Sequence, residues 1–494
     1  MYSIGFDIGS SAIKASLLDL DTGQVVKLVS FPDTEMEMIA VTEGWAEQDP
    51  EEWWTAVCKT TRSILSSTNI KPEDIKSIGI AYQMHGLVLV DSNQKVLRPS
   101  IIWCDSRAVE IGNIALQDLG SDYCLGHLLN SPGNFTASKL KWIQQNEPII
   151  YGQIHKAMLP GDFIAMKLTG EINTTVTGLS EGIFWDFKNN TLANSLLDYF
   201  KIDTDLLPNI VENFNKQGKL SKRAATETGL HEGTIISYRA GDQPNNALSL
   251  NVLNPGEIAA TGGTSGVVYG VSDVIKYDDQ SRVNSFAHVN HGKNSIRIGQ
   301  LLCINGAGSQ YAWVRKQMTN SQLSYADMED VISKIAIGSN GLRIMPFGNG
   351  SERMLNNRQV GAQFNNVQFN THTREHFYRA AIEGIAFSFV YGVKILKELG
   401  LNPKRIRVGN DNLFQSPTFS NTLANLLDCS IEMLETTGAT GAAKAIGIGI
   451  GHYASLNEAI SNNKIINEFL PTPKNDAYNL AYENWESYLD KLIE

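Results

Sequence analysis

Residues 2–14 read YSIGFDIGSSAIK, and this stretch decides how the first half of the chain begins to fold. The run from Tyr2 to Phe6 predicts a strand, which is followed by Asp7 and by a turn of glycine and serine. Further elements are expected in this order: strands at Ala12–Leu18 and Gln24–Phe31, a helix at Pro50–Ser66, and strands at Ile75–Ala81 and Leu87–Asp91. Strands, a helix and more strands predict a mixed sheet with helices packed on it, which is an α/β fold.

A second copy of this opening follows residue 241. Ile258-Ala259-Ala260 predicts a strand, Thr261–Gly266 a turn rich in glycine and hydroxyl groups, and Val267–Tyr269 another strand. Because 494 residues exceed what one hydrophobic core usually supports, two domains are expected. We divide the chain into residues 1–244 and residues 245–494.

The later part of the chain has a strong helical pattern. A long amphipathic helix is expected at His376–Leu399, a strand at Ile406–Val408 and a helix at Phe419–Leu427. Gly438–Gly451 is rich in glycine and alanine, and we expect a helix whose small residues allow close packing. A dinucleotide loop at Gly447–Gly451 is disfavoured, because no strand precedes it.

Composition narrows the class of protein. The net charge of −11 argues against a nucleic-acid binder, which normally has a basic surplus. The first residues lack a signal peptide, and Gly438–Gly451 is too short to span a membrane. The five cysteines are scattered, so we expect them to be reduced and mostly buried, as is typical of a cytoplasmic protein.

The two turns could bind phosphate groups. Gly9, Ser10 and Ser11 offer backbone N–H groups and hydroxyls, Asp7 could hold a magnesium ion, and Lys14 adds a positive charge. For this turn alone, an ordinary β-turn is the better interpretation. However, Gly263 and Thr264 belong to a second such turn, which lets a phosphate approach the backbone closely. Two such turns, each opening one half of the chain, are what a nucleotide-binding cleft between paired domains needs.

This pairing resembles the actin-like ATPase superfamily and, within it, the FGGY carbohydrate kinases over essentially the whole length. Further segments fit family patterns: Asn305–Ser309 before Trp313, Tyr238–Gln243, Trp103–Arg107 and His376–Glu383. The resemblance implies two ribonuclease-H-like domains with an interdomain cleft, and ATP and Mg²⁺ as cofactors. It implies further ATP-binding residues at Gly308, Gly409 and Asn412, the last two in the loop Gly409–Phe414. Asn366 stands where the family has glycine, and we expect it to take a positive φ.

Asp242 is our candidate for the general base, because Tyr238–Gln243 is similar to the family segment that carries it. Phosphoryl transfer needs a group that accepts the proton of the attacking hydroxyl, and a positioned carboxylate does this. We expect Gly241 to let the backbone turn sharply before it. Gln243, together with Asn245 or Asn246, could bind sugar hydroxyls. The alternative is a capping aspartate at the start of a helix over residues 244–250. Asp7 and Asp242 are the carboxylates that we expect at the magnesium site.

Gln83-Met84-His85-Gly86, followed by Trp103–Arg107, is similar to xylulokinases. The resemblance implies D-xylulose as substrate, with Met84, His85 and Trp103 at the sugar site. A loop histidine without a catalytic part remains an alternative for His85. Trp45 could stack on the sugar or anchor its loop on the core.

Three other functions stay open. They are a kinase of another ketose or polyol such as ribulose, gluconate or glycerol, an actin-like nucleotide switch, and a catalytically silent sugar-binding regulator. The expected partners are a small sugar and ATP, with no nucleic acid and no membrane, and a homodimer is left open.

Overall fold

The computed structural model describes residues 1–319, 322–410, 412–473 and 476–494, and of Asn412 only the backbone. The first half of the chain contains fourteen strands: β1 (Tyr2–Ile8), β2 (Ile13–Asp19), β3 (Val25–Phe31), β4 (Glu47–Gln48), β5 (Ile75–Tyr82), β6 (Val88–Val90), β7 (Ser100–Ile101), β8 (Lys156–Met158), β9 (Asn173–Thr175), β10 (Trp185–Asp186), β11 (Thr191–Leu192), β12 (Asn209–Val211), β13 (Gly218–Lys219) and β14 (Ile235–Gly241).

The described residues of the second half form nine more strands: β15 (Ile258–Gly262), β16 (Gly266–Ser272), β17 (Asn284–Ala287), β18 (Ile298–Ile304), β19 (Arg343–Phe347), β20 (Gly361–Asn365), β21 (Arg405–Gly409), β22 (Ser430–Leu434) and β23 (Ile465–Phe469).

The helices before the second sheet are α1 (Pro50–Ser67), α2 (Val109–Leu119), α3 (Ser121–Leu128), α4 (Thr136–Asn146), α5 (Pro148–Tyr151), α6 (Pro160–Thr169), α7 (Val176–Glu181), α8 (Asn194–Phe200), α9 (Lys222–Thr228) and α10 (Asp242–Ser249). Those that follow are α11 (Gly308–Thr319), α12 (Tyr325–Ile332), α13 (Arg374–Glu398), α14 (Pro417–Leu427), α15 (Gly438–Gly449), α16 (Leu456–Ile460) and α17 (Asp476–Ile493).

Two large sheets have the same core arrangement. In the first, the strand order is β13-β14-β5-β1-β2-β3, where β3, β2 and β1 are antiparallel while β5 and β14 run parallel to β1. In the second, the order is β17-β18-β16-β15-β21-β22-β23; here β18, β16 and β15 are antiparallel, and β21 and β22 are parallel to β15. The predicted repeat is therefore confirmed. The division predicted between residues 244 and 245 falls inside α10, which connects the two sheets, and it stays a prediction.

Helix α15 packs on the first sheet although it belongs to the second half of the sequence. A Cβ added to Gly5 of β1 would lie 2.1 Å from the carbonyl oxygen of Ala439, and one added to Gly79 of β5 would lie 2.6 Å from that of Ala442. Such a close approach is possible because β1 and β5 carry no side chain at these two points. The prediction that a small-residue helix packs closely is thus confirmed, with the helix ending at Gly449.

Two features of the described residues bear on their environment: the helices and the cysteines. Among the described residues, no helix combines the length and apolarity needed to cross a bilayer. The five cysteines are free, but only Cys124 and Cys429 are buried and Cys104 is exposed. The expectation that most cysteines are buried was therefore wrong, because Cys58 on α1, Cys104 after β7 and Cys303 on β18 keep part of their surface exposed.

Candidate active site

Asp242 is the first residue of α10, directly after β14. The helix cap is Gly241, so Asp242 does not have the capping role that the sequence left open. Burial and, to a smaller extent, the charge of Asp7 together raise the pKa of the Asp242 carboxyl to about 7. Such a carboxyl is poised to exchange a proton near neutral pH. Gln243 donates a hydrogen bond from Nε2 to Asp242 Oδ2 at 3.2 Å, so it contacts the candidate base itself.

Gly241 is required for space and not for an unusual turn. Its φ of −58° is one that any residue adopts, which corrects the expectation of a sharp turn. A Cβ at this position would lie 2.7 Å from Met84 Cγ and 2.8 Å from Glu181 Oε2. The residue before Asp242 therefore packs directly against Met84, one of the predicted sugar-site residues.

The first predicted phosphate turn joins β1 to β2. Asp7 pairs with Lys14 across these strands, and burial raises the pKa of Asp7 while the charge of Lys14 opposes the rise. The turn itself is fixed by side chains, because Gln48 Nε2 donates to the Ser10 carbonyl at 2.7 Å. Ser11 accepts from the backbone N–H of Met36 at 2.8 Å. Gly9 leaves room for the Ala12 carbonyl, which would lie 2.9 Å from an added Cβ.

The second predicted phosphate turn lines a cavity of about 680 Å³. Gly308 N donates to the carbonyl of Gly263 at 3.0 Å, and Ser309 N donates to that of Thr264 at 3.0 Å. Gly263, Thr264 and Gly308 all line this cavity, as predicted for ATP-binding residues. Gly409 ends β21 and does not line it. The Asp411 and Asn412 side chains, part of the same predicted loop, lie outside the described residues.

The sequence did not identify the other walls of this cavity. They are contributed by Tyr311, Ala312, Tyr325, Ala326, Glu329, Asp330, Ile382, Leu413, Gln415 and Ser416. These residues come from α11, α12, α13 and the segment before α14, which pattern analysis treats as separate helices. The cavity thus combines two glycine turns with an apolar and aromatic wall, which suits a nucleotide: phosphates on the turns and a base on the wall.

The predicted sugar-site residues lie on two loops of the first half. Met84 and His85 follow β5, and Trp103 follows β7 with about half of its surface exposed. Trp103 Nε1 lies 3.4 Å from Ser10 Oγ, so a predicted sugar residue contacts the first phosphate turn. Gln83 Nε2 donates to Gln48 Oε1 at 3.4 Å, and Gln48 in turn donates to the Ser10 carbonyl, so the loop after β5 is also linked to this turn.

His85 has a defined protonation state and tautomer. Its Nδ1 lies 2.9 Å from the Glu181 carbonyl oxygen, which can only accept, so Nδ1 carries the hydrogen. Burial lowers the pKa of His85 to about 3, and the ring is therefore neutral. Its Nε2 remains a hydrogen-bond acceptor, which is suited to a hydroxyl donor. The ring packs against Phe135 and Phe286, with centroids 4.8 Å and 5.2 Å away.

Trp45 and Asn245 contact protein groups. Trp45 packs edge-on against Trp142 at 5.3 Å, and the Arg107 guanidinium lies 3.8 Å from its ring, which favours the anchoring alternative. Asn245 donates to the Gly438 carbonyl at 2.9 Å and accepts from the Tyr238 hydroxyl at 3.2 Å, so its amide is used to hold α10 against α15. Asn366 has φ of 60°, as expected.

Glu181 is a site residue that the sequence did not indicate. The residue is 1% exposed, and the Tyr82 hydroxyl is the neighbouring hydrogen-bond donor of its carboxyl group. Burial raises its pKa well above the usual range, and the charges of Asp242 and Asp162 add to the rise. These effects favour the neutral, protonated form of Glu181, which does not place a second negative charge beside Asp242.

The second half of the chain reaches Asp242 through β18. Burial raises the pKa of the Cys303 thiol to about 11, and Glu352 and Asp242 contribute to the rise while Arg353 opposes it. The charge of Asp242 therefore acts on β18, the strand of the second half that leads into the Asn305–Ser309 turn.

Comparisons with known proteins agree with this geometry. Two family models match the chain: the N-terminal domain of the FGGY family of carbohydrate kinases over residues 2–249 and the C-terminal domain over residues 258–448. The chain therefore belongs to the FGGY family of carbohydrate kinases. It is an enzyme with two domains of the ribonuclease-H-like, actin-like ATPase type, as predicted, and the nucleotide switch and the silent regulator are set aside.

Individual relatives and solved structures carry more specific names. A curated relative from Bacillus subtilis (strain 168), named xylulose kinase, is 27% identical over 92% of this chain and 90% of that protein. A crystal structure of xylulose kinase from Rhodospirillum rubrum has a TM-score of 0.89 at 24% identity, covering 100% of this chain and 99% of that one. A gluconate kinase structure from Lactobacillus acidophilus has a TM-score of 0.90 at 23% identity, covering 100% and 98%. At these identities the two structures show the shared fold.

Proposed function

We propose that the chain is an ATP-dependent ketose kinase that transfers the γ-phosphoryl group to a terminal hydroxyl, with D-xylulose as its substrate. The observation that carries the proposal is the position of Asp242: its carboxyl is beside Asp7 of the first phosphate turn, while Gly241 packs on Met84 of the sugar loop. The names of the full-length relatives and the Gln83–Gly86 motif support the choice of sugar.

In this reaction the sugar hydroxyl attacks the γ-phosphorus of ATP, the bond to the bridging oxygen breaks, and ADP leaves. The hydroxyl proton passes to the ionised Asp242 carboxylate. Gln243 holds that carboxylate through its 3.2 Å hydrogen bond. His85, neutral and with Nε2 free to accept, orients a sugar hydroxyl, and Met84 and Trp103 supply apolar surface. Positioning of this kind accounts for much of the catalysis of phosphoryl transfer.

Asp7 and Asp242 fit a magnesium ion that is shared with the ATP phosphates. The pKa of both carboxyls is raised by burial, and that of Asp242 also by the charge of Asp7, so a cation would relieve an existing repulsion. Among the described residues no group of three potential ligands forms a metal cage, which agrees with an ion bound mainly by phosphates. When bound, Mg²⁺ would neutralise charge that develops on the transferred group.

The nucleotide would occupy the cavity of about 680 Å³, with phosphates against Gly263, Thr264 and Gly308. Ser10, Ser11 and Lys14 of the first turn would meet the γ-phosphate from the opposite half. For Gly409 and Asn412 the proposed role is limited to shaping the segment that ends at Leu413, which lines the cavity. We further propose a cytoplasmic location, where ATP and phosphorylated sugars are used.

A sugar acid is a second candidate substrate because of Arg353. Burial lowers the pKa of this guanidinium, and its charge acts on both His85 and Cys303. Its Nη1 donates to Asn284 Oδ1 at 2.5 Å, which holds the cation near the sugar side. A half-buried cation whose charge acts on His85 would also attract a carboxylate, as in gluconate.

The test is an ADP-release assay across a panel of D-xylulose, D-ribulose, L-ribulose, glycerol and gluconate. We expect kcat/KM to be highest for D-xylulose. A preference for gluconate that is lost in Arg353→Met would favour the second candidate. ATP hydrolysis at the same rate with and without every sugar would contradict both.

A further inference from the structure

Lys139 is a completely buried cation at the centre of the sugar side. It lies on α4, and its Nζ donates to the carbonyl oxygen of His85 at 2.8 Å and to that of Ile102 at 2.9 Å. His85 belongs to the loop after β5, and Ile102 immediately precedes Trp103 in the loop after β7. One ammonium group therefore joins the backbones of the two loops that carry the proposed sugar residues.

Burying the Lys139 ammonium group costs free energy, so its presence in the interior needs a physical reason. Lysine is almost never fully buried unless it is paired. The nearest opposite charge is that of Asp105, but this carboxylate is already bonded to Arg107 at 2.6 Å and to the backbone N–H of Ala46 at 2.6 Å. The main bonds of Lys139 are thus to the two loop carbonyls, and hydrogen bonds from a charged donor are about twice as strong as neutral ones.

The conformation of His85 shows what these bonds hold. His85 has φ of 61°, in the left-handed region that costs a non-glycine residue free energy. Its carbonyl points to Lys139, while its Nδ1–H points to the Glu181 carbonyl. Two bonds from opposite sides therefore fix both the backbone and the ring of this residue, which leaves Nε2 in one position.

We propose that Lys139 is a positioning residue for the sugar: its ammonium group fixes the His85 and Trp103 loops at the separation that the substrate requires. This inference rests on the proposed function, because it takes those two loops as the sugar site. It goes beyond that proposal by making sugar affinity, and not nucleotide affinity, depend on a group that does not contact the substrate.

Because Lys139 carries a charge that can be titrated, we expect sugar affinity to depend on pH. Burial lowers its pKa to about 7, with Asp105 opposing the fall. The titratable and charged groups facing it from the Trp103 loop are Cys104, Asp105 and Arg107, and from the other loop His85, which is neutral. Below neutral pH the ammonium bonds both carbonyls fully; as the pH rises through about 7 it loses its charge and both bonds weaken. Sugar affinity should fall over the same range.

The first experiment compares Lys139→Met with Lys141→Met. Lys141 lies on the same helix and also bonds a carbonyl, that of Phe200 at 2.9 Å, but it contacts neither sugar loop. We expect Lys139→Met to raise the KM for the sugar about tenfold or more, with the KM for ATP unchanged. Lys141→Met should change neither. Equal sugar KM values in the two variants, or a parallel rise in the KM for ATP, would overturn the inference.

The second experiment measures sugar binding by calorimetry without ATP, in an Asp242→Asn background so that Asp242 does not titrate. D-xylulose is the probe, and its Kd should rise with pH through about neutrality. In Lys139→Gln, whose amide can still donate to both carbonyls, binding should be intermediate in strength and independent of pH. This variant also keeps the test valid if Lys139→Met does not fold.

The outcomes separate the two proposals. If the protein binds no sugar of the panel, the proposed function fails. If D-xylulose binds with a Kd that is flat with pH, and Lys139→Gln binds it as the parent does, only the role of Lys139 fails.

Discussion

On the proposed sugar side of the cleft, buried side chains hold the loops: Lys139 donates to two carbonyls, Gln48 donates to the Ser10 carbonyl, and the His85 ring donates to the Glu181 backbone carbonyl. On the nucleotide side, the cavity is lined by glycine backbone and by side chains that remain partly exposed, such as Tyr325. Under the proposed function, the first half would carry sugar specificity in a network of individual side chains. The second half would bind features common to every nucleoside triphosphate through its backbone.

This contrast implies separable effects of mutation. A change on the sugar side should disturb many mutually bonded groups and act on sugar affinity or on turnover. A change on the nucleotide side should act on the KM for ATP alone. This effect should be large only where the substitution displaces the backbone. Asp242, where the two sides meet, should affect the chemical step.

The largest effect is expected for Asp242→Ala, which removes the proton acceptor. A general base contributes typically about 10²–10⁴-fold, so kcat should fall by about a thousandfold. ATP binding should be nearly intact, because Asp242 is not among the residues lining the nucleotide cavity. An ADP-release assay and calorimetry with ATP measure the two quantities.

Asp122→Asn is the matched control for this variant. Asp122 is likewise an acid in the first turn of a helix, α3, but it is exposed. Its substitution should leave kcat unchanged. A near-normal kcat in Asp242→Ala would refute the assignment of the base.

The next effect concerns pH. Only the ionised Asp242 carboxyl accepts a proton, and its pKa is raised to about 7 by burial and by Asp7. The active, ionised form of this base is therefore present above this pH, and on the acid side kcat/KM should fall about tenfold per unit below it, or about a hundredfold at about pH 5. A cation held near these carboxylates would favour their ionised forms, so in kcat, which reports the enzyme with its substrates bound, the fall in activity should occur at lower pH. A profile that is flat between about pH 5 and about pH 8 would contradict this prediction.

Local patterns were sufficient to predict much of the fold. Each strand–Gly/Ser–strand unit follows from residues adjacent in sequence, and the sheets repeat as expected. The close packing of α15 followed from its small residues, since glycine and alanine leave room for another backbone. Its partner, the first sheet, could not be predicted, because nothing in Gly438–Gly449 encodes which of two sheets it will cover.

The parts of the site that the sequence missed depend on contacts between distant segments. Glu181 and Lys139 are charged residues on helices, and such residues are normally solvent-exposed, so their default interpretation is a solvated helix face. Their burial is decided by loops 37 to 96 residues away along the chain. Asp242 could be found because its neighbours in sequence carry the motif, whereas the groups that raise its pKa could not.

On the nucleotide side the strongest effect is expected for Gly308→Ala. The added Cβ would lie 2.3 Å from the Gly263 carbonyl oxygen, which is backbone and cannot rotate away. Overpacking of this kind costs about 1–3 kcal/mol, so the KM for ATP should rise about tenfold to a hundredfold. Sugar binding without ATP should be unchanged. If it weakens equally, the two sides are not separable.

Gly126→Ala is the control for Gly308→Ala. Gly126 lies inside α3, and a Cβ there would meet nothing within 4 Å. This substitution should leave both KM values unchanged and stabilise the protein slightly, because alanine favours the helix by about 0.5–1 kcal/mol. Thermal denaturation of both variants checks that Gly308→Ala remains folded.

The smallest effect is expected for Tyr325→Ala on the cavity wall. The Tyr325 ring is 48% exposed and stacks on Tyr311 with centroids 5.7 Å apart, so its loss removes one partly exposed surface for the base. Aromatic pairs contribute about 0.5–1.5 kcal/mol, so the KM for ATP should rise about threefold to tenfold with kcat and the sugar KM unchanged. Tyr325→Phe keeps the ring and should behave like the parent, as should Trp313→Ala, a similarly exposed aromatic of α11 outside the cavity lining. An equal loss in Tyr325→Phe would mean that the hydroxyl, and not stacking, binds the nucleotide, and a shift in sugar KM would show that the wall acts across the cleft.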